Sequence, residues 1–152
     1  MHAGEHLLDM SEKTILIVDD DPDVRLSLNV RLKANNYNVI FAVDGVSSIA
    51  EARKHIPDLI ILDLGLPAGD GFTVLERLKE NLSLSLIPVI VVSARDRNAN
   101  RDRALKAGAR AFLQKPVDNA QLLSAIQQVF GEKKDGRSAV YELDNRDPQN
   151  RS

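Results

Sequence analysis

The stretch Asp58–Phe72, DLIILDLGLPAGDGF, decides the fold. It begins with an uninterrupted apolar run, Leu59–Leu62, and changes at Asp63 to a loop that contains Gly and Pro. A short Leu/Ile run of this kind is typical of a strand buried on both faces, as in a parallel sheet covered by helices. The loop ends at Asp70, which can cap a helix that starts directly after it. The stretch therefore predicts a strand, a loop and a helix, with a carboxylate at the carboxyl end of the strand.

Similar apolar segments recur along the chain. The predicted strands are Thr14–Val18, Asn38–Val43, Asp58–Leu62, Pro88–Val92 and Ala111–Leu113. Segments of helical length lie between these strands and after the last one. Because strand and helix alternate five times, we expect an α/β fold, namely a doubly wound five-stranded parallel sheet with helices on both faces.

The first helix is ambiguous in sequence. Apolar residues from Val24 to Leu32 alternate strictly, and by pattern alone such alternation indicates a strand. Asp21 can cap a helix, Pro22 suits its first position, and Asp23 complements its N-terminal dipole. The local chemistry therefore favours a helix.

Caps and apolar residues at helical spacing mark the remaining helices. Apolar positions expected to face the core are Val46, Ile49 and Ala50 in the second helix, capped by Asp44, and Phe72, Leu75, Leu78 and Leu82 in the third. The fourth helix, about Arg97–Ala107, has few apolar residues and should be the least tightly packed. The last helix is capped by Asp118 and should end before Gly131.

The composition fits one globular domain and excludes several classes of function. The chain has 152 residues, of which 43% are hydrophobic, and carries 20 Lys and Arg against 22 Asp and Glu. This charge balance gives no reason to expect nucleic-acid binding. No signal peptide is recognisable, and no apolar run approaches the ~20 residues of a membrane helix. The absence of Cys excludes thiolate metal sites and cysteine nucleophiles, and fits a cytoplasmic protein.

The chain divides by composition into three parts. Residues 12–131 carry the alternating strands and helices, residues 1–11 form an N-terminal extension, and residues 132–152 are a polar tail or linker. Nothing in the tail indicates an output domain, so a stand-alone protein and a fragment of a longer one are both compatible with the sequence.

Polar residues with related chemistry follow four of the predicted strands. Asp19 and Asp20 follow the first strand, Asp63 the third, Ser93 the fourth and Lys115 the fifth. Ligands of open parallel sheets bind outside the carboxyl ends of the strands. We therefore expect three carboxylates, a hydroxyl and an ammonium group at one edge of the sheet.

These groups favour phosphoryl chemistry. Clustered carboxylates repel one another unless a cation lies between them, and oxygen ligands suit Mg²⁺. Magnesium bound in this way usually binds a phosphoryl oxygen as well. Lys115 and Ser93 could contact two further phosphoryl oxygens, and Asp63 is placed to act as the nucleophile.

Several stretches, in their order and spacing, resemble the receiver domain of two-component response regulators, a flavodoxin-like fold. They are ILIVDDDPDVR (15–25), DLIILDLGLPAGDGF (58–72), PVIVVSARD (88–96) and GARAFLQKP (108–116). The resemblance covers about residues 12–131. It implies a phosphoacceptor switch in which Asp63 takes a phosphoryl group from a histidine kinase or a histidine phosphotransfer protein. It also implies at most self-phosphorylation and slow autodephosphorylation, not enzymatic turnover.

The resemblance implies a role for each site residue. Mg²⁺ would be bound directly by Asp20, Asp63 and the Gly65 carbonyl, and through water by Asp19. Ser93 would be the switch hydroxyl, Lys115 would pair with the phosphoryl group, and Phe112 would be the aromatic switch residue. A cis peptide bond between Lys115 and Pro116, and a possible homodimer through the fourth and fifth helices, are implied in the same way.

The chain departs from the usual pattern of that family at two positions near the site, as well as at Val117, where the family often has Phe, and at Phe112, where some members have Tyr. Gly65, two residues after Asp63, has no side chain that could guide an attacking water, and Arg95 occupies the position two residues after Ser93. These positions tune dephosphorylation in the family, so the phosphoryl lifetime does not follow from the resemblance. The downstream effector does not follow from it either.

Other interpretations of the same residues remain open. A magnesium-dependent phosphatase of the haloacid dehalogenase type also uses an Asp nucleophile, but it needs a second Asp where this chain has Gly65. A flavodoxin-like nucleotide-binding protein would need a first loop that accepts phosphate, and Asp19–Asp21 would repel it. Phe112 fits either a static core residue or a mobile switch.

Overall fold

The computed structural model describes residues 12–67 and 70–135, with the backbone alone for residues 132–135. The strands are β1 (Thr14–Val18), β2 (Asn38–Ala42), β3 (Leu59–Leu62), β4 (Val89–Ser93) and β5 (Ala111–Gln114). The helices are α1 (Pro22–Ala34), α2 (Gly45–His55), α3 (Gly71–Glu80), α4 (Arg97–Lys106) and α5 (Asn119–Asp135). All strand pairs are parallel, in the order β2-β1-β3-β4-β5. The predicted fold is confirmed.

The sheet separates two apolar layers. Alternate residues of β1 point to opposite faces, so that Ile15 and Ile17 pack with α1 and α5 while Leu16 and Val18 pack with α2, α3 and α4. Every residue of β3 and β4 is buried. Burial on both faces explains the uninterrupted apolar runs that mark these strands in the sequence.

The ambiguous first segment is a helix. The Asp21 carboxylate accepts the N–H of Asp23, and Pro22 occupies the first turn. Leu28 and Leu32 are buried, whereas Leu26 and Val30 are exposed, so two of the five alternating apolar residues contribute nothing to the core. In α4 only Ala104 is buried, as the scarcity of apolar residues predicts.

The apolar faces predicted for α2 and α3 are partly wrong. In α2 the buried residues are Gly45, Ser48 and Ala52, while Val46 and Ala50 are exposed, because small side chains allow the helix to approach the sheet closely. Helix α3 ends at Glu80, before Leu82. Asn81 is extended there and its side chain accepts the N–H groups of Ser83 and Leu84, which turns the chain away from the helix axis.

The predicted end of the last helix is also wrong, because α5 continues through Gly131 to Asp135. Asp118 caps its start by accepting the N–H of Gln121. Gly131 is not in the left-handed conformation of a C-cap, unlike Gly108 after α4, and the next residues, EKK, are good helix formers. Residues 1–11 and 136–152 lie outside the described residues, and the proposed division of the chain remains a prediction. Among the described residues, no helix has the length and apolar character needed to cross a membrane.

Candidate functional site

Two strands bring the predicted carboxylates together. The N–H of Asp19 donates to the Ala42 carbonyl of β2, and the N–H of Asp63 donates to the Val18 carbonyl of β1, so the parallel ladders continue one residue past the strands. Carboxylate oxygens of Asp19, Asp20 and Asp63 all lie within 4.8 Å of one another. The sheet edge predicted from the strand ends is therefore the place where these acids meet.

Asp19 is the most enclosed of the three acids. Its side chain is buried, and its Oδ2 accepts a hydrogen bond from Lys115 Nζ at 2.7 Å. Its Oδ1 accepts the N–H of Asp21 at 2.9 Å, and its backbone carbonyl accepts Arg25 Nη1 at 2.8 Å. Each oxygen of Asp19 therefore has a protein partner, and these bonds hold the Asp19 side chain in one position beside the site.

Asp63 and Asp20 have more freedom to bind a ligand. Asp63 is buried, and burial raises the pKa of its carboxyl group; Lys115 opposes the rise, and the neighbouring Asp19 adds to it. Lys115 Nζ lies 3.7 Å from Asp63 Oδ1, longer than its bond to Asp19. Asp20 is exposed to solvent. The ammonium group of Lys115 thus pairs with two of the three clustered carboxylates, and a second cation would relieve their repulsion.

The donor set fits Mg²⁺. Carboxylate oxygens within 4.8 Å of one another are hard ligands close enough to share one ion, and the exposure of Asp20 leaves room for the waters that Mg²⁺ retains. Gly65 adjoins this cluster, because its N–H interacts with the Asp63 carboxylate and lowers the pKa of that group. The part of the chain described by the structure therefore provides an oxygen-only site for a divalent cation.

Ser93 and Lys115 lie on adjacent strands beside the acids. The N–H of Lys115 donates to the Ser93 carbonyl at 2.8 Å, which continues the pairing of β4 with β5. Ser93 is buried, and its Oγ accepts the N–H of Arg95 at 3.1 Å. The Lys115–Pro116 peptide bond is cis, as the resemblance implies. Phe112 is fully buried in the layer formed by α2, α3 and α4.

Sequence reasoning missed two residues that shape the site. Arg25 lies in the first turn of α1, where a cation is unfavourable because it opposes the helix dipole. An arginine at this position is the signal in the sequence that it has a specific partner. The partner is the Asp19 carbonyl, to which Arg25 Nη1 donates. Gly71, the first residue of α3, is the second such residue, and the sequence gives it no role beyond following the Asp70 cap. A Cβ at Gly71 would lie 2.6 Å from the Asp63 carbonyl oxygen and 2.6 Å from Leu64 Cα, so α3 can pack behind Asp63 only without a side chain there.

Comparison with known proteins identifies the family. The family model described as "Response regulator receiver domain" matches residues 15–127. The chain belongs to the response regulator receiver family. It is therefore the receiver domain of a two-component signalling system, and receiver domains are in general phosphoacceptor switches, not enzymes.

The curated relatives of this receiver differ in how much of their length it matches. It is 40% identical over 116 residues to the response regulator PleD of Caulobacter vibrioides, and the match covers 76% of this chain but 25% of PleD. It is 36% identical to PilH of Pseudomonas aeruginosa, with 96% of PilH covered. The DNA-binding regulator RpaA of Synechocystis is 38% identical, with 48% covered. The chain thus spans nearly the whole length of PilH but less than half of PleD and RpaA.

Solved structures share the fold of this receiver. A response regulator from Chloroflexus aurantiacus has a TM-score of 0.76 and 28% identity, covering 79% of this chain and 98% of its own. The receiver domain of sensor histidine kinase PA1611 from Pseudomonas aeruginosa has a TM-score of 0.73 and 27% identity over the same shares of the two chains. In that structure a magnesium ion is coordinated in the active-site cleft.

Proposed function

We propose that Asp63 is the phosphoacceptor of this receiver and that a histidine kinase or a histidine phosphotransfer protein is its donor. The observation that carries the proposal is the clustering of Asp19, Asp20 and Asp63 within 4.8 Å, next to the ammonium group of Lys115. In the transfer, an Asp63 oxygen forms a bond to phosphorus while the phosphorus–nitrogen bond of the donor breaks, and the electron pair of that bond returns to the imidazole. Asp63 must be ionised for this step, which Lys115 favours.

The metal-binding part of the proposal assigns Asp20, Asp63 and the Gly65 carbonyl as direct Mg²⁺ ligands and Asp19 as a residue that acts through water. Mg²⁺ in this position supplies charge neutralisation for the phosphoryl oxygens. The burial of Asp19 and its bond to Lys115 support its indirect role, while the exposure of Asp20 supports direct coordination.

Ser93 and Phe112 are proposed to couple phosphorylation to the output surface. The Ser93 hydroxyl is the donor placed to approach a phosphoryl group on Asp63. In that movement its Oγ would release the N–H of Arg95, which it now accepts, and its O–H would donate to a phosphoryl oxygen. Phe112 lies two residues before Gln114, the residue paired with Ser93 across the sheet, so a shift of Ser93 would be transmitted to the packing of Phe112.

The partner proposal rests on a groove beside Lys115. A cavity of about 440 Å³ is lined by residues of α1 and of the segment after β5, including Val24, Leu28, Pro116 and Val117. These apolar side chains offer the donor protein a contact next to the acceptor. We also propose that the protein is cytoplasmic, because ATP phosphorylates such donors there. A homodimer through α4 and α5 is a further part of the proposal.

Incubation with acetyl phosphate and Mg²⁺ tests the assignment. Intact-mass analysis should show one phosphoryl adduct in the wild type and none in Asp63→Asn, while Asp102→Asn, which changes an exposed acid of α4, should retain it. The adduct should not form in EDTA. An adduct that persists in Asp63→Asn would refute the assignment. Release of phosphate over many turnovers would favour the phosphatase alternative, although Gly65 stands where that mechanism needs a second acid.

A further inference from the structure

We propose that residues 1–11 of this chain bind to an apolar patch at the edge of the sheet opposite the carboxylates. The patch consists of Ile56, in the loop between α2 and β3, and of Leu82 and Leu86, in the loop between α3 and β4. The proposal is independent of the phosphoacceptor assignment, because the patch lies at the amino ends of the strands and the acids lie at their carboxyl ends.

The two leucines are held outward by an anchored loop. Leu82 is 90% exposed and Leu86 is 80% exposed, while Leu84 between them and Ile87 after them are buried. Hydrogen bonds from the N–H groups of Ser83 and Leu84 to the Asn81 side chain fix the start of the loop. A loop anchored in this way presents both leucines to solvent, where large apolar side chains gain nothing unless they are covered.

Ile56 is unusual in its conformation as well as in its exposure. It caps the end of α2 with φ 42° and ψ 67°, a left-handed conformation that Gly or Asn normally adopts and that a β-branched residue rarely does. Its side chain is 51% exposed. Since neither local backbone preference nor the core explains an isoleucine here, a contact from outside the described residues is the simplest physical reason for it.

The chain enters β1 between Asp58 and Asn38 of β2, whose N–H donates to the Lys13 carbonyl. The N–H of Thr14 donates to the Asp58 carboxylate, and the N–H of Asp58 donates to the Thr14 carbonyl, each at 2.8 Å. The first residue of β1 is therefore hydrogen-bonded to Asp58, which follows Ile56 by two residues. On the other side of β3, the N–H of Ile60 donates to the Pro88 carbonyl, which brings the Leu86 loop to the same edge. Eleven residues can span at most about 36 Å, enough to reach all three side chains.

The chemistry of residues 1–11 complements the surface around the patch. The segment carries Leu7, Leu8 and Met10 together with Glu5 and Asp9. The last turns of α2 and α3, which flank the patch, carry four exposed cations, Arg53, Lys54, Arg77 and Lys79, against one exposed acid, Glu80. The other undescribed segment, residues 136–152, follows α5 on the opposite face of the sheet, where Phe130 contacts Tyr37. Residues 1–11 are therefore the better-placed occupant.

A spin label tests the contact in the full chain. The protein has no cysteine, so His6→Cys creates a single labelling site. In ¹⁵N spectra, the nitroxide should broaden the amides of 56–58 and 82–87 more than those of Tyr37 and Asn38, which flank the other side of the entry to β1. Leu7→Ser with Leu8→Ser should abolish this difference, whereas Val30→Ser, an exposed site on α1, should leave it unchanged.

Two results would overturn the proposal. Equal broadening on both sides of β1 that is unaffected by the Leu7→Ser and Leu8→Ser substitutions would mean that the segment is tethered but not bound. Broadening that appears only when labelled protein is mixed with ¹⁵N protein would assign the patch to a second copy of the chain. Spectra of each variant report folding directly, so a loss of structure is not mistaken for a loss of contact.

Discussion

Lys115 Nζ donates a hydrogen bond to Asp19 Oδ2 at 2.7 Å and lies 3.7 Å from Asp63 Oδ1. Lys115 therefore pairs most closely with the buried Asp19 and is farther from Asp63, the proposed phosphoacceptor. Its charge lowers the pKa of the Asp63 carboxyl, opposing the effect of burial, without a tight bond that a phosphoryl group would have to break. This arrangement leaves Lys115 within reach of a group added to Asp63.

Replacing Lys115 by Met should destabilise the protein in EDTA by about 3 kcal/mol, because it leaves the buried Asp19 carboxylate without its charged partner. Saturating Mg²⁺ should reduce the loss by neutralising the same cluster. Urea unfolding measures both effects, with Lys106→Met, an exposed lysine at the end of α4, as the matched control. Equal losses in the two variants would contradict the buried pair.

Asp63→Asn should stabilise the metal-free protein at neutral pH. Burial raises the pKa of the Asp63 carboxyl above its ordinary value of 3.8, so ionisation costs stability in the folded state. The difference in free energy of unfolding between variant and wild type should be smallest below pH 3.8, should grow as the pH rises through the folded pKa, and should then stay constant. Urea titrations in EDTA at a series of pH values check this. A less stable Asn variant at neutral pH would refute it.

Gly71→Ala should cost about 1–3 kcal/mol, because the added methyl group overlaps the backbone of Asp63 and Leu64 and α3 must shift. Since the shift displaces Asp63, phosphorylation by acetyl phosphate should also slow. Thermal unfolding and adduct formation measure the two effects. Full stability together with a normal phosphorylation rate would show that the close approach is unimportant.

Gly131→Ala should stabilise the protein by about 1 kcal/mol, because Gly131 lies inside α5 and a Cβ there meets nothing within 4 Å. Chemical denaturation measures the change. Gly108→Ala is the contrasting variant, because Gly108 has φ 113° and Ala is strained there, so that variant should be less stable than the wild type. A destabilised Gly131→Ala variant would indicate that the helix ends at this residue.

The elements whose signals are local could be predicted from the sequence. The Leu59–Leu62 run specifies a buried strand because its neighbours on both faces must be apolar, and Asp21, Asp44, Asp70 and Asp118 each mark a helix start because a carboxylate satisfies free backbone N–H groups. The strand ends then located the acids, because parallel strands bring their carboxyl ends to one edge.

The tertiary structure decided what depends on distant neighbours. Sequence spacing placed Val46 and Leu82 in the core, yet small residues set the buried face of α2, and the Asn81 turn ends α3 before Leu82. In the sequence Gly131 resembles a helix stop, but its backbone is helical and α5 continues past it. Sequence alone predicted which residues gather at the sheet edge and are proposed to carry the chemistry. The pairing of Lys115 with Asp19, and the close approach of α3 to Asp63 at Gly71, arise from contacts between segments far apart in the chain, which local pattern does not encode.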